Sequence, residues 1–229
     1  MMKSAVITFP GSNCDRDAVV ALQKVSTKIQ RLWHTETSLD NDLDLIVVPG
    51  GFSFGDYLRS GAMASISPIM KEVERLSKKG VRILGICNGF QILTESNLLP
   101  GVLMRNKKMK FICREVNLRV ENNDSDFTKK YKNRQIIKIP IAHMDGNYFA
   151  EPNVIKMIED KGLVAFRYVD DNGNVSDDSN PNGSIFNIAG VFNETKNILG
   201  MMPHPERAID KNTGSNDGNL MFESLNSLF

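Results

Sequence analysis

Short β-branched runs alternate with segments of helical periodicity along the first part of the chain. The runs predict strands at residues 5–8, 28–32, 45–48 and 81–84. The periodic segments predict helices near residues 15–25 and 67–79 and again directly after Cys87. Such alternation is typical of right-handed βαβ units. We therefore expect an α/β fold with a doubly wound, mostly parallel sheet and helices on both faces.

The pattern changes after about residue 110. Residues 110–139 combine lysine and arginine with strand-like alternation, which predicts a small antiparallel extension at an edge of the sheet. Residues 169–183 are rich in Asp, Asn, Ser, Gly and Pro, which is typical of a surface loop. Regular structure resumes at 185–188 and 198–202, and we expect a closing helix near Asn219 to Leu228. One domain over residues 1–229 is expected.

Three loops follow predicted parallel strands, at residues 10–13, 49–53 and 85–89. In open α/β sheets, ligands bind at the carboxyl ends of the strands. We therefore expect these three loops to line one site.

Composition excludes several classes of protein. The 28 basic and 27 acidic residues give a formal net charge of +1, so no overall field favours nucleic acid or an anionic membrane. No apolar run approaches the ~18 residues of a membrane span, and the N-terminus is too short an apolar stretch for a signal peptide. Cys14, Cys87 and Cys113 lack the spacing of a disulfide framework or a zinc site. We predict a soluble, cytoplasmic protein without a metal.

The segment 85–89 reads Gly-Ile-Cys-Asn-Gly between a predicted strand and a predicted helix. This is the thiol counterpart of the G-x-S-x-G nucleophile elbow. The glycines permit a strained turn, and the N-terminus of the following helix favours the nucleophilic thiolate. A buried structural cysteine is the alternative, but the two glycines favour Cys87 as a nucleophile.

A thiolate that attacks a carbonyl group needs a residue that carries protons. Of His34, His143 and His204, the last is the best candidate, because it precedes Pro205 and Glu206 directly after an apolar run. In an extended chain, His204 and Glu206 point the same way, which allows a Cys-His-Glu triad. The alternative for the His-Pro-Glu segment is a solvated turn.

The loop at Gly50 and Gly51 offers backbone N–H groups for an oxyanion hole, and Asn88 would donate a second N–H by analogy with hydrolase elbows. The alternative for the two glycines is a tight turn. Gln91 lies one helical turn after Cys87 on the same face, so its amide could bind a substrate. The alternative for Gln91 is an exposed polar position.

These motifs resemble those of class I glutamine amidotransferases, at residues 85–91, 49–56 and 204–207. More narrowly, Gly-Gly-Phe-Ser-Phe-Gly-Asp and Cys-Asn-Gly-Phe-Gln resemble the glutaminase subunits of phosphoribosylformylglycinamidine synthases. Further similar segments are residues 10–15, 105–107, 111–114, 180–184 and 200–203. The resemblance covers essentially the whole chain.

The resemblance implies a role for each matching residue. Cys87 would attack the side-chain amide of glutamine, His204 would shuttle protons, and Glu206 would orient His204. The oxyanion would be held by Gly51 and Asn88, and glutamine would be bound by Gln91 and Asn106.

The resemblance also implies partners. Released ammonia would pass to a separate synthetase that converts formylglycinamide ribonucleotide to its amidine, in a complex of a large synthetase subunit and a small accessory subunit. ATP and magnesium are expected in the synthetase, and no cofactor is expected in this chain. No nucleic acid or membrane is expected as a partner.

Two alternatives stay open at this point. One is a glutaminase of another ammonia-using pathway, which the specific loops disfavour, and the other is a catalytically silent binding module. Where the family commonly has a small residue after the histidine of a His-Gly-Glu-Gly-like stretch, this chain has Met144 after His143. No site role is therefore carried to His143.

Overall fold

The computed structural model describes residues 2–227. The strands are β1 (Lys3–Thr8), β2 (Lys28–Trp33), β3 (Leu45–Val48), β4 (Arg82–Ile86), β5 (Val102–Met104), β6 (Ile112–Val120), β7 (Ile136–His143), β8 (Asn147–Phe149), β9 (Val164–Val169), β10 (Ile188–Phe192) and β11 (Ile198–Met201). The α-helices are α1 (Asp15–Leu22), α2 (Ala62–Ser65), α3 (Pro68–Ser77), α4 (Asn88–Glu95), α5 (Pro152–Asp160) and α6 (Asn219–Asn226). The predicted closing helix matches α6, and Leu228 lies outside the described residues.

One large sheet organises the described part of the chain, in the strand order β2-β1-β3-β4-β11-β10-β9-β6-β7. The strands β2, β1, β3, β4 and β11 run parallel to one another. The pairings from β11 through β10, β9 and β6 to β7 are antiparallel. The predicted α/β fold with a mostly parallel sheet is confirmed.

The antiparallel part is larger than the sequence indicates. Strands β6 and β7 form the predicted extension at the sheet edge, but β9 and β10 also pair antiparallel. Strands β10 and β11 are antiparallel as well, because the link between them is too short for the crossover of a dozen or more residues that a parallel pair needs. A separate two-stranded sheet of β5 and β8 was not predicted.

The burial of the elements explains why the pattern predicts them. All residues of β3 are buried, as expected for a parallel strand covered on both faces. Helix α3 buries Ile69, Val73 and Leu76 at helical spacing against the core. Helix α4 packs against β3, β4 and β11, and its residues from Asn88 to Thr94 are all buried. A helix that is buried all round holds the residues at its N-terminus firmly.

The edge of the sheet that carries the carboxyl ends of the parallel strands gathers the predicted loops. Ser12, after β1, forms a bridge with Gly51, after β3. The outer edge of β7 closes on the same region, because the N–H of His204 donates to the carbonyl oxygen of Pro140 at 2.8 Å. Among residues 2–227, no helix has the length and apolar character needed to cross a membrane.

Candidate active site

Cys87 lies at the sharp turn between β4 and α4. Its backbone has φ 51° and ψ −104°, a strained conformation for a residue with a side chain. A Cβ at Gly85 would collide with Leu93 of α4. A Cβ at Gly89 would collide with the carbonyl oxygen of Val48. Both glycines are therefore needed for the predicted elbow, which places the thiol at the N-terminus of α4.

His204 and Glu206 form a buried hydrogen-bonded pair beyond the end of β11. Nδ1 of His204 lies 2.7 Å from Oε1 of Glu206, and both side chains are buried. The carboxylate thereby fixes the orientation of the imidazole and leaves Nε2 for chemistry. Nε2 has no hydrogen-bond partner within the described residues. A buried pair replaces the solvated turn that the sequence left as an alternative.

The charges around His204 favour its protonated form. Burial opposes that form, but the charges of Glu206 and Cys87 outweigh burial and raise the pKa of His204 well above its ordinary value. A histidine that holds the proton of a neighbouring thiol activates a cysteine nucleophile. The geometry therefore suits Cys87 as the nucleophile and His204 as the proton carrier.

A cavity of about 160 Å³ lies against the thiol and brings the predicted loops together. Its lining includes Asn13 from the loop after β1, Gly51 from the loop after β3, and Cys87 from the loop after β4. His204 lines the same cavity. The prediction that the three loops line one site is confirmed.

Gly51 and Asn88 offer backbone N–H groups on the side of the cavity formed by the parallel strands. Gly51 has φ +152°, and a Cβ there would lie 2.7 Å from Cα of Ser12, so only glycine fits. Asn88 is the first residue of α4, so its N–H has no acceptor within the helix. Oδ1 of Asn88 accepts from the N–H of Ser53 at 3.2 Å, which ties the two halves of the predicted oxyanion hole together. The oxyanion roles stay predictions that this geometry suits.

Gln91 is buried, which removes the alternative of an exposed polar position. Its Oε1 accepts from Nδ2 of Asn88 at 2.8 Å, and its Nε2 donates to the carbonyl oxygen of Asp145 at 2.6 Å. A bound glutamine would therefore contact either the Gln91 amide, by replacing one of these bonds, or the backbone that the amide holds. The role of Gln91 in glutamine binding stays a prediction.

Asn106 is fully buried, and its side chain makes its hydrogen bonds within the protein. Nδ2 donates to the carbonyl oxygens of Lys110 and His143, at 2.8 and 3.0 Å. Oδ1 accepts from the N–H of Gly146 at 3.0 Å and lies 3.2 Å from Nδ1 of His143. The structure places Asn106 behind His143, and its predicted contact with glutamine stays a prediction.

Cys14, His204 and Glu206 carry potential metal-ligand atoms within 4.8 Å of one another. Cysteine, histidine and glutamate are all ligands of zinc. However, Arg207 donates from Nη2 to the sulfur of Cys14 at 3.2 Å, and its positive charge disfavours a second cation there. The cluster is accounted for by the hydrogen-bonded pair and this arginine, and the absence of a catalytic metal stays a prediction.

One protein family matches nearly the whole chain, including every residue of this site. The family described as the CobB/CobQ-like glutamine amidotransferase domain matches residues 1–223. The chain belongs to this family. It is therefore a glutamine amidotransferase, as the motifs around Cys87 and His204 predict.

Curated relatives match the amidotransferase over nearly its whole length. The phosphoribosylformylglycinamidine synthase subunit PurQ of Novosphingobium aromaticivorans is 55% identical over 223 residues, which are 97% of this chain and 95% of that protein. The subunit of the same name from Pelagibacter ubique is 54% identical over 224 residues, with 98% of each chain covered.

Solved structures also match the whole length of the chain. A structure of PurLQS from Thermotoga maritima contains a chain that is 43% identical, with a TM-score of 0.87, and the match covers 100% of this amidotransferase and 99% of that chain. The glutaminase domain of Trypanosoma brucei CTPS has a TM-score of 0.61 at 13% identity, with 100% of this chain and 94% of that chain covered. The second likeness shows the fold alone.

Sequence reasoning assigned no role to several groups at the site. Cys14 and Arg207 line the cavity beside His204. In the sequence, only the similarity of the surrounding segments to the family indicates that they lie at the site. The carbonyl oxygen of Ala142 accepts from the thiol of Cys87 at 3.7 Å. This oxygen belongs to β7, 55 residues from Cys87 along the chain. Because every residue has a backbone carbonyl group, no sequence pattern indicates this contact.

Proposed function

We propose that this chain is the glutaminase subunit of a phosphoribosylformylglycinamidine synthase. It hydrolyses glutamine to glutamate and ammonia, and the ammonia passes to an ATP-dependent synthetase that converts formylglycinamide ribonucleotide to its amidine in purine biosynthesis. The observation that carries this proposal is the nearly full-length match to curated relatives of that name. A glutaminase of another pathway would share the fold and the elbow, but not this identity over both whole chains.

The first half of the reaction forms a thioester. His204 holds the proton of the Cys87 thiol, and the sulfur attacks the carboxamide carbon of glutamine. The developing oxyanion accepts from the N–H groups of Gly51 and Asn88. His204 then gives the proton to the nitrogen, the carbon–nitrogen bond breaks, and ammonia leaves.

The second half releases glutamate. His204 takes a proton from a water molecule, which attacks the thioester carbon through the same oxyanion geometry. The carbon–sulfur bond breaks, and the proton returns to the sulfur of Cys87. Glu206 keeps Nδ1 of His204 hydrogen-bonded throughout, while Gln91 and Asn106 shape the pocket that binds glutamine.

The partners follow from the same proposal. A large synthetase subunit holds ATP and magnesium and receives the ammonia, and a small accessory subunit completes the complex in the cytoplasm. This chain itself carries no cofactor and binds neither nucleic acid nor a membrane. The structure of PurLQS supports the existence of such an assembly in a relative.

Glutamate release from glutamine tests the proposal. The wild-type chain and its Cys87→Ala variant are each assayed alone and with the loaded synthetase subunits. We expect release that rises strongly with the loaded synthetase and disappears in Cys87→Ala. The control is Lys156→Ala, which shortens an exposed side chain of α5 that does not line the cavity and should retain the activity.

Two other results would overturn the proposal in different ways. Glutamate release that depends on Cys87 but does not change when the synthetase subunits are added would identify a glutaminase of another pathway. No release in any mixture would identify a catalytically silent binding module.

A further inference from the structure

The thiol of Cys87 lies below a rim of exposed side chains. Cys87 is only 5% exposed, although it lines the cavity of about 160 Å³. The lining residues that are exposed to solvent are Asn13, Phe52, Phe111, Cys113 and Arg207. A molecule that reaches the sulfur from solvent therefore has to pass this rim.

Hydrogen bonds hold the two long polar side chains of the rim in place. Arg207 donates from Nε to Asp17 at 2.9 Å and from Nη2 to the sulfur of Cys14 at 3.2 Å. The side-chain oxygen of Asn13 accepts from the thiol of Cys14 at 3.0 Å. The side chain of Cys113 is short. The parts of the rim that are large and free to turn are therefore the two phenylalanine rings.

Phe52 and Phe111 meet across the rim. Their ring centroids are 6.5 Å apart, and the ring planes are inclined at 32°. Phe52 lies in the loop after β3, and Phe111 directly precedes β6, so the contact joins the parallel and antiparallel halves of the sheet. The two residues are 44% and 48% exposed. Because a single contact between half-exposed rings is weak, the rings can separate without disturbing the core.

The backbone beside Phe52 is fixed more firmly than its ring. The N–H of Phe52 donates to the carbonyl oxygen of Gly11 at 3.0 Å, and the N–H of Ser53 donates to Oδ1 of Asn88 at 3.2 Å. Rotation of the rings is therefore the simplest movement that opens the cavity, and it leaves the N–H of Gly51 in position. Such rotations of exposed side chains are fast.

The size of the cavity indicates that it opens when a ligand binds. Its volume of about 160 Å³ is roughly half of the ~300 Å³ at the lower end of ordinary ligand pockets. The two rings are also the only large apolar side chains in the lining. A ligand with methylene groups between its polar ends would bury those groups against the rings.

We propose that Phe52 and Phe111 form a gate that selects by size what reaches the thiol of Cys87. The rings separate to admit an unbranched side chain that ends in a primary carboxamide, and they then rest on its methylene groups. Both residues determine specificity and take no part in making or breaking bonds. The identity of the admitted side chain as that of glutamine rests on the proposed function, whereas the gate can be tested without turnover.

Alkylation of Cys87 in the full chain tests the gate. Iodoacetamide is slim and carries a primary carboxamide, whereas N-phenylmaleimide carries a bulky ring. The rate of each reagent is read from the mass of the peptide that contains Cys87, and reduced glutathione gives the intrinsic reactivity of the reagent. Wild type is compared with Phe52→Ala and Phe111→Ala. The matched control is Phe149→Ala, which removes a ring of β8 that is 38% exposed and does not line the cavity.

We expect the ratio of the N-phenylmaleimide rate to the iodoacetamide rate to be at least about tenfold lower at wild-type Cys87 than at glutathione. Removing either ring should raise the N-phenylmaleimide rate about tenfold and the iodoacetamide rate less than about threefold. Phe111→Tyr, which retains a ring, and Phe149→Ala should both behave as wild type. Equal increases with both reagents would overturn the inference, because the reactivity of the sulfur would then have changed. Unchanged rates with both reagents would overturn it too, because the rings would not cover the path to the sulfur.

Phe111→Leu keeps the inference testable if Phe111→Ala fails to fold, since it retains an apolar side chain and should lose part of the discrimination between the reagents. Full wild-type discrimination in a folded Phe111→Leu protein would count against the gate. The alkylation needs no turnover, so the two proposals can fail separately. Absence of Cys87-dependent glutamate release from the wild-type complex would overturn the proposed function alone.

Discussion

His204 and His143 are both buried, and each has Nδ1 hydrogen-bonded to the side-chain oxygen of a neighbour. That oxygen belongs to the carboxylate of Glu206 in one case and to the carboxamide of Asn106 in the other. The pKa of His204 is raised well above its ordinary value, whereas the pKa of His143 is lowered to about 3. The charge of the neighbour, and not the degree of burial, therefore separates a protonated histidine from a neutral one.

The two histidines also belong to different halves of the sheet. His204 follows β11, at the end of the parallel strands, with the elbow of Cys87 beside it. His143 ends β7, the outermost antiparallel strand, whose free edge closes on the site. The parallel half thus carries Cys87 and His204, and the antiparallel half carries the carbonyl oxygen of Ala142 that accepts from Cys87.

The largest effect is expected where the charge beside His204 is removed. Glu206→Gln should lower kcat/KM for glutamine by about 10²–10⁴-fold, because an amide neither stabilises the imidazolium nor holds the required tautomer. Initial rates of glutamate release in the complete complex measure this loss. Asp17→Asn is the control, since it removes an exposed carboxylate 2.9 Å from Arg207 and should change the rate less than about twofold. A Glu206→Gln enzyme within tenfold of wild type would show that His204 does not need the carboxylate.

The reciprocal substitution places a carboxylate beside the other histidine. In Asn106→Asp, oxygen atoms would face the carbonyl oxygens of Lys110 and His143, which now receive N–H groups. We expect a loss of about 2–4 kcal/mol in the free energy of unfolding and a raised pKa for His143. Urea denaturation measures the first effect, and NMR titration of the His143 ring measures the second.

Asn122→Asp is the matched control for this substitution. The amide of Asn122 donates to one carbonyl oxygen, that of Gly162, at 2.6 Å near the surface. Its loss should cost less than about 1 kcal/mol. If both variants are equally stable, the buried carboxamide is not what fixes His143.

A smaller effect is expected at Gly146, on which the ring of His143 packs. A Cβ at Gly146 would collide with that ring, and the backbone of Gly146 is not in the left-handed region. Gly146→Ala should therefore lower the free energy of unfolding by about 1–3 kcal/mol through overpacking alone. In a His143→Ala background the same change should cost less than about 1 kcal/mol, because the ring is gone. Equal costs in both backgrounds would place the strain elsewhere.

The chemistry of the parallel half could be predicted because it is local. The elbow around Cys87 is a strand, two glycines and a helix that are contiguous in the chain, and His204 and Glu206 are two residues apart. By contrast, Asn106 and His143 are separated by 37 residues and meet only after β7 has folded against the rest of the sheet. No periodicity in either segment indicates that contact.

Backbone groups explain the rest of what could not be predicted. Met144 departs from the family pattern, but it contributes its carbonyl oxygen to Asn106, which any residue could supply. The departure therefore leaves the network around His143 intact. Similarly, β10 and β11 pair antiparallel because the link between them is short, and apolar runs alone do not reveal strand direction.

The smallest expected effect is the dependence of stability on pH through His143. Its pKa is about 3 in the folded chain and about 6.5 in the unfolded chain, so below pH 6.5 the unfolded chain binds a proton that the folded chain does not. The group therefore destabilises the fold as pH falls, by about 1 kcal/mol between pH 7 and 5.5.

Urea denaturation of wild type and His143→Asn at these two pH values isolates this contribution. The wild type should lose about 1 kcal/mol more than the variant on acidification. His204 acts with the opposite sign, because its raised pKa adds stability at low pH that is lost as pH rises through the folded value. That contribution is common to both proteins and cancels in the difference. Equal losses would mean that His143 titrates alike in the folded and unfolded chains.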